Sequence, residues 1–176
     1  MTQLSVPETV TLSEAIALTQ KLLSLVEQGK LSDTEIETAI ASLIKTKTGA
    51  QGWFGTYLTD NGTLAEKPTP AVFRALETSP EFVPNFLVKN VAMCADMANR
   101  HRQNGDKEMA AISDRVRSRS IHLIQNLNIP ALKTTAKELY HSATTGEGLY
   151  KEFFERWGYD PEQRKLMSQA LEPLMS

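Results

Sequence analysis

The sequence predicts an all-α protein, a bundle-like or orthogonal packing of seven or eight helices in one domain. Three observations lead there. Apolar residues recur at three- and four-residue spacing along most of the chain. Helix start and stop signals punctuate that pattern at short intervals. No two alternating segments joined by a tight turn suggest a hairpin, and no repeat of fixed period occurs.

The elements follow in order. Residues 1–10 read as a flexible arm. Thr11-Leu12-Ser13-Glu14 is a capping box, in which the Thr oxygen and the Glu carboxylate satisfy amides of the first turn. Leu12, Ala15, Ile16, Leu22, Leu23 and Val26 continue it at helical spacing as far as Gly29. Ser32-Asp33-Thr34-Glu35 is a second capping box, followed by the stripe Ile36, Ala39, Ile40, Leu43 and Ile44. Lys45 and Lys47 suit the last turn of that helix, and Gly49 its end. A Gly-aromatic segment, 49–62, comes next. Thr69-Pro70 starts a short helix to about Thr78, with Thr69 as N-cap and Pro at the first position. Ser79-Pro80 starts another, kinked or restarted at Pro84, that reaches about Arg102. Asp106 opens a long helix ending before Pro130, and a further helix runs from there to about Ser142. Leu149–Trp157 and a helix capped by Asp160-Pro161-Glu162-Gln163 complete the chain.

Composition bounds the setting. The 176 residues are 41% apolar and 23% charged, as in ordinary globular domains. A formal charge of −2 gives no global attraction to nucleic acid or to an acidic membrane. One cysteine, Cys94, excludes an intrachain disulfide and suits a reducing compartment. The first residues carry no secretory pattern, and no apolar run approaches the roughly 20 residues of a membrane helix. The expected location is cytoplasmic, with no membrane partner.

The segment Gly49 to Gly62 departs from the surrounding pattern, packing four glycines and three aromatics into fourteen residues. Such departures concentrate at functional or strained sites. Gly52 and Gly55 either let a ligand or partner approach the backbone, with Trp53, Phe54 and Tyr57 as contact surfaces, or let helices pack closely around a core of those aromatics. Exposure of Trp53 decides between them. The segment lacks the Gly-Lys-Ser/Thr of a phosphate loop, and as a recognition helix it would carry no Arg or Lys.

A second candidate is basic. Arg115, Arg119 and His122 fall at i, i+4 and i+7 on one helical face, where guanidinium forks would suit an anion or an acidic partner. The alternative is a solvated face paired with neighbouring acids. Nucleic acid is disfavoured, because no aromatic for base stacking lies between Phe86 and Tyr140.

Catalytic signals are sparse. Glu138-Leu139-Tyr140-His141 is a single Glu-x-x-His, where di-iron bundles need two. Three histidines and one cysteine make no zinc signature, and no Gly-x-Ser-x-Gly elbow occurs. No cofactor is assigned and the enzyme question stays open. Cys94 lies on the stripe Leu87, Val91, Cys94, Ala98, as a core residue would. Its alternative role is covalent attachment of a tetrapyrrole-like chromophore. Phycobiliproteins carry Arg two places and Asp three places after such a cysteine; here Asp96 and Met97 stand there. The C-terminal aromatics Tyr150, Phe153, Phe154, Trp157 and Tyr159 are expected to dock their helix on the core, and any that are exposed would form a partner patch.

Gly49 to Asp60, with Phe86 to Met93, resembles small all-helical cyanobacterial proteins of unassigned function. The resemblance implies a bacterial cytoplasmic setting and transfers no functional residue. The expected function is therefore a non-enzymatic interaction protein, an adaptor or regulator that binds a protein partner or itself. A small apolar or tetrapyrrole-like ligand is the alternative, and an enzyme of unknown chemistry the third.

Overall fold

Helix capping accounts for most of the element boundaries in a computed structural model, which describes residues 4–176. The protein is all-α. Among the described residues there are ten α-helices and no strand. They are α1 (Leu12–Glu27), α2 (Asp33–Leu43), α3 (Lys47–Tyr57), α4 (Thr63–Glu66), α5 (Pro70–Leu76), α6 (Val83–Gln103), α7 (Lys107–Asn126), α8 (Ala131–Thr145), α9 (Lys151–Arg156) and α10 (Pro161–Leu171). Eight have seven residues or more; the additional two are the short α4 and α9. A 3-10 turn, Glu172–Met175, follows α10. Residues 1–3 of the expected arm lie outside the described residues; residues 4–10 form no helix, and Val10 is buried.

The capping boxes at Thr11/Glu14, Ser32/Glu35 and Asp160/Gln163 are all formed, each with both reciprocal bonds. Asp106 caps α7 by accepting from the Met109 amide at 3.1 Å. Thr69 occupies the N-cap of α5, but its side chain makes no capping bond. Pro84 falls in the first turn of α6, where a missing N–H leaves no intrahelical bond unmade. The chain therefore restarts there and does not kink.

One boundary differs from the expectation. α2 ends at Leu43, not near Gly49, and Lys47 opens α3 instead of closing α2. Thr46 is the cause: its Oγ1 accepts from the Gly49 amide at 3.0 Å and starts a new helix. Gly49 is thus helical. A Cβ there would stand 1.9 Å from the Leu43 carbonyl oxygen, so glycine permits the tight α2–α3 corner.

The residues group into two units, residues 1–86 with 126–128, and 87–125 with 129–176. In the first, α1 packs along α3 and α2 along α5. A Cβ on Gly52 would lie 2.4 Å from that of Ala15, so the α1–α3 spacing exists only because residue 52 has no side chain. Behind that contact the aromatics form one cluster. Trp53 stacks on Tyr57 at 4.3 Å between centroids, and Phe54 lies edge-on to Trp53 at 4.9 Å and against Phe86 at 5.5 Å. Tyr57 Oη donates to the Leu64 carbonyl at 2.8 Å, which ties α4 to α3. Gly62, the N-cap of α4, has no side chain to cap with. Glu27, from the end of α1, does so instead, accepting from both the amide and the hydroxyl of Thr63 at 2.7 Å. Those two bonds hold the Glu27 carboxyl below the usual carboxylate range.

In the second unit, α10 packs on α8. Asp96 on α6 is a buried charge, with its side chain 1% exposed. It is held by Arg100 Nε at 2.9 Å and by Gln163 Nε2 at 3.2 and 3.4 Å. The same Gln163 side chain accepts from the Asp160 amide at 2.9 Å. One amide group thus serves both the α10 capping box and the carboxylate on α6.

The α1–α3 contact makes Gly52 and Gly55, both on α3, behave oppositely. Gly52→Ala is expected to lower stability by about 1–3 kcal/mol through overpacking. Gly55, whose Cβ position is open, is expected to gain up to about 1 kcal/mol on substitution by Ala, from helix propensity. Urea denaturation followed by circular dichroism reads both. Equal effects would mean that residue 52 does not set the helix spacing.

Candidate functional site

The aromatics of the Gly-rich segment have no free face. Trp53 and Tyr57 are 0% exposed and Phe54 is buried with them. The Trp53 indole N–H is enclosed without an acceptor, so packing rather than polar contact holds the ring. Of the two readings of this segment, the burial of Trp53, Phe54 and Tyr57 matches helices packed closely around an aromatic core. The physical reason is the missing side chain at Gly52, which draws α3 against α1 and turns its aromatics inward.

The basic face is divided in the same way. Arg119 is buried, Arg115 is half-buried and His122 is exposed, so the three do not offer one accessible anion surface. None of them is a free group. Nearby, Arg100 pairs with Asp96, and Arg102 with Asp114. Cys94 is buried as well. Burial pushes its thiol up to about 11, with Arg117 lowering it and Asp114 raising it by less. At pH 8 roughly one molecule in a thousand would carry the thiolate. That is the opposite of the electropositive, accessible setting that activates a cysteine, so Cys94 is ill placed for covalent attachment.

Exposed apolar surface lies elsewhere in the second unit. Leu149 is 75% exposed and Trp157 60%, and they flank α9. Lys151 donates to the Gly148 carbonyl, Phe154 to that of Tyr150 and Trp157 to that of Phe153, so helical turns extend beyond both ends of α9. Leu149, Phe153 and Trp157 then stand at i, i+4 and i+8 on one side of the segment. Phe154, one residue along from the middle of that row, is buried and anchors the segment. The half-buried Phe153 ring lies 5.2 Å from that of Phe154 and 6.0 Å from that of Tyr159, with Lys89 Nζ 4.9 Å from its centroid. Docking of the C-terminal aromatics on the core is thus centred on Phe154 and its ring neighbours, while Trp157 stays largely exposed.

Leu149 also borders an open cleft of about 300 Å³, lined by Lys137, Glu138 and His141 of α8 and by Gly148. The wall of this cleft is fixed by backbone. Gly148 has φ +92°, a left-handed conformation, and a Cβ there would stand 3.0 Å from both His141 Cδ2 and Ser142 Oγ. Ser142 Oγ accepts from the Tyr150 amide at 3.0 Å, holding the loop against α8. Tyr150 has its phenol raised by burial and further by the Glu138 carboxylate. His141 thus meets a recess, beside the Glu and Lys of the same helix. Among the described residues no group of three or more His, Cys, Asp or Glu could hold a metal ion. No helix among them is long and apolar enough to cross a membrane.

A model of the family described as uncharacterised conserved protein UCP020893 matches residues 11–174. The chain belongs to that family. No curated protein and no solved structure matches the chain.

Two measurements follow from this geometry. The chain has two tryptophans, one enclosed and one exposed. Acrylamide quenching should therefore resolve two emitters, and Trp157→Phe should remove the quenchable, red-shifted one. A single population in the wild-type protein would contradict this. For Cys94 the sign is fixed by the raised folded value, against about 8.5 in an unfolded chain. The folded state keeps its proton longer, so this contribution is full below about pH 8.5 and is lost as pH rises towards 11. Tyr150 and Tyr159, both raised by burial, act in the same direction. The melting temperature should fall over that window, and fall less in Cys94→Ala. The wild-type thiol should react with a disulfide reagent at neutral pH only in denaturant.

Proposed function

We propose that the protein is a non-enzymatic helical interaction module, an adaptor or regulator, that binds a protein partner through the Leu149–Phe153–Trp157 face. The reading is carried by one observation, the exposure of Trp157 and Leu149 beside a buried anchor at Phe154. A large apolar pair kept in water on a segment whose neighbours are packed is characteristic of contact surfaces. Aromatic residues of this kind supply a disproportionate share of interface energy. Residues 11–176 act here as one functional domain, a reading supported by a family match that spans nearly all of them. The resemblance of 49–60 and 86–93 to small cyanobacterial proteins supports a cytoplasmic setting in such an organism. The small-ligand reading has only the open cleft beside His141 in its favour, because Cys94 and the Trp53 cluster are enclosed.

Site-specific photo-crosslinking in the native host tests the interaction. A photoreactive residue in place of Trp157 should give a discrete adduct of higher mass, while the same residue at the exposed Lys21 should not. Identical patterns at both positions, or none at 157, would remove the reading. An adduct at twice the chain mass would identify the partner as a second copy.

A further inference from the structure

Two cations stand at the exposed face and narrow the chemistry of its partner, an inference that rests on the interaction reading above. Lys89 reaches across from α6 and holds its Nζ 4.9 Å from the Phe153 ring centroid and 5.4 Å from that of Tyr150. Phe153 is the middle of the row Leu149, Phe153, Trp157, so this ammonium lies beside the row itself. Arg156 is exposed. It follows Leu149 by seven residues and Phe153 by three, the spacing of one helical face. The carboxylates of the segment are placed otherwise. Glu147 pairs with Lys151 at 3.2 Å, and Glu155 raises the same lysine. Lys151 is two residues from both Leu149 and Phe153, a spacing that turns it away from the row. Asp160 and Glu162 lie beyond Gly158, as the cap and in the first turn of α10. Glu152, four residues before Arg156, is the acid of α9 nearest the row, and it offsets one of the two cations. The cleft beyond Leu149 brings one lysine and one glutamate, Lys137 and Glu138, and adds no net charge. The face thus keeps a positive excess of one on a chain whose formal charge is −2.

We infer that this face docks an acidic amphipathic segment of another protein, one in which Asp or Glu flank two or three large apolar residues. The apolar residues cover Leu149 and Trp157. Carboxylates meet the Lys89 ammonium over Phe153 and the Arg156 guanidinium, whose fork suits them. Burial of the row supplies the affinity. The two cations fix register and reject basic segments, because like charges brought together at a contact are costly. A chain of charge −2 does not draw an anion from a distance, so this selection acts at contact. An anionic lipid surface fits less well. Attachment to it takes clusters of about four to eight basic residues, and this face has two beside Glu152.

The test uses the full chain, with Trp157 emission as the signal and the enclosed Trp53 as constant background. The probes are a helical Leu/Glu amphipathic peptide, the same with every Glu replaced by Lys, the Leu/Glu peptide with every Leu replaced by Ser, and phosphatidylserine vesicles. The Leu/Glu peptide should shift Trp157 emission to the blue and protect it from acrylamide. It should bind about tenfold more tightly than the Leu/Lys peptide. Arg156→Glu, a change at an exposed position, should erase that preference, and Lys89→Gln should reduce it with the circular dichroism unchanged. Equal or tighter binding of the Leu/Lys peptide would overturn the inference. So would equal binding of the Ser/Glu peptide, or a preference that neither variant moves. Failure of all three peptides would overturn it too, and crosslinking at 157 would then say whether the interaction reading survives. A larger blue shift on the vesicles than on the Leu/Glu peptide would make a lipid surface the occupant. Sedimentation as a dimer with Trp157 already protected would make it a second copy, and either result overturns the inference.

Discussion

The first unit is arranged around a place where two helices come closer than any side chain would allow. Gly52 faces Ala15, and the aromatic cluster of that unit packs behind this contact. With α3 drawn against α1, Trp53 and Tyr57 stack inside and Phe54 reaches Phe86. Tyr57 can then hold α4 through the Leu64 carbonyl, and Glu27 at the end of α1 is near enough to cap it. Stacked and edge-on aromatic pairs add about 0.5–1.5 kcal/mol each beyond their burial. That gain offsets a Trp53 N–H left without an acceptor.

The two aromatic groups of the chain divide along this line. The group at 53–57 is closed by a contact that begins at a glycine. The group at 150–159 has one fully buried ring, Phe154, and sits on a helix of six residues. A helix of that length covers little more than one face with its anchor, so residues half a turn away stay in water. The exposed face is thus a consequence of shortness as much as of composition.

Local chemistry was readable where it is self-contained. Thr11, Ser32, Asp106 and Asp160 cap their helices as their neighbours in sequence indicate, because cap and capped amide lie three residues apart. Gly49 was not readable in the same way. A glycine that ends a helix and a glycine that clears a carbonyl oxygen look alike in sequence, and only the position of Leu43 separates them. Burial of Cys94 followed from its stripe, whereas the inward turn of Arg119 on a polar face did not. The site shows the same limit. Trp53 and Trp157 both lie in aromatic helical segments at similar spacing, and periodicity makes both core candidates although only Trp53 is buried. The cleft beside His141 depends on the left-handed backbone of Gly148 folding a loop back onto α8, a tertiary event with no pattern of its own.

The shared amide of Gln163 has a chemical consequence. A capping box accepts glutamate or glutamine at its third position, since either oxygen can receive the cap N–H. Here the other end of the group must also donate a proton to a carboxylate that is shut away from water. Glutamate would place a second anion against Asp96, so an exchange that is isosteric and harmless at most helix starts becomes a clash of like charges at this one.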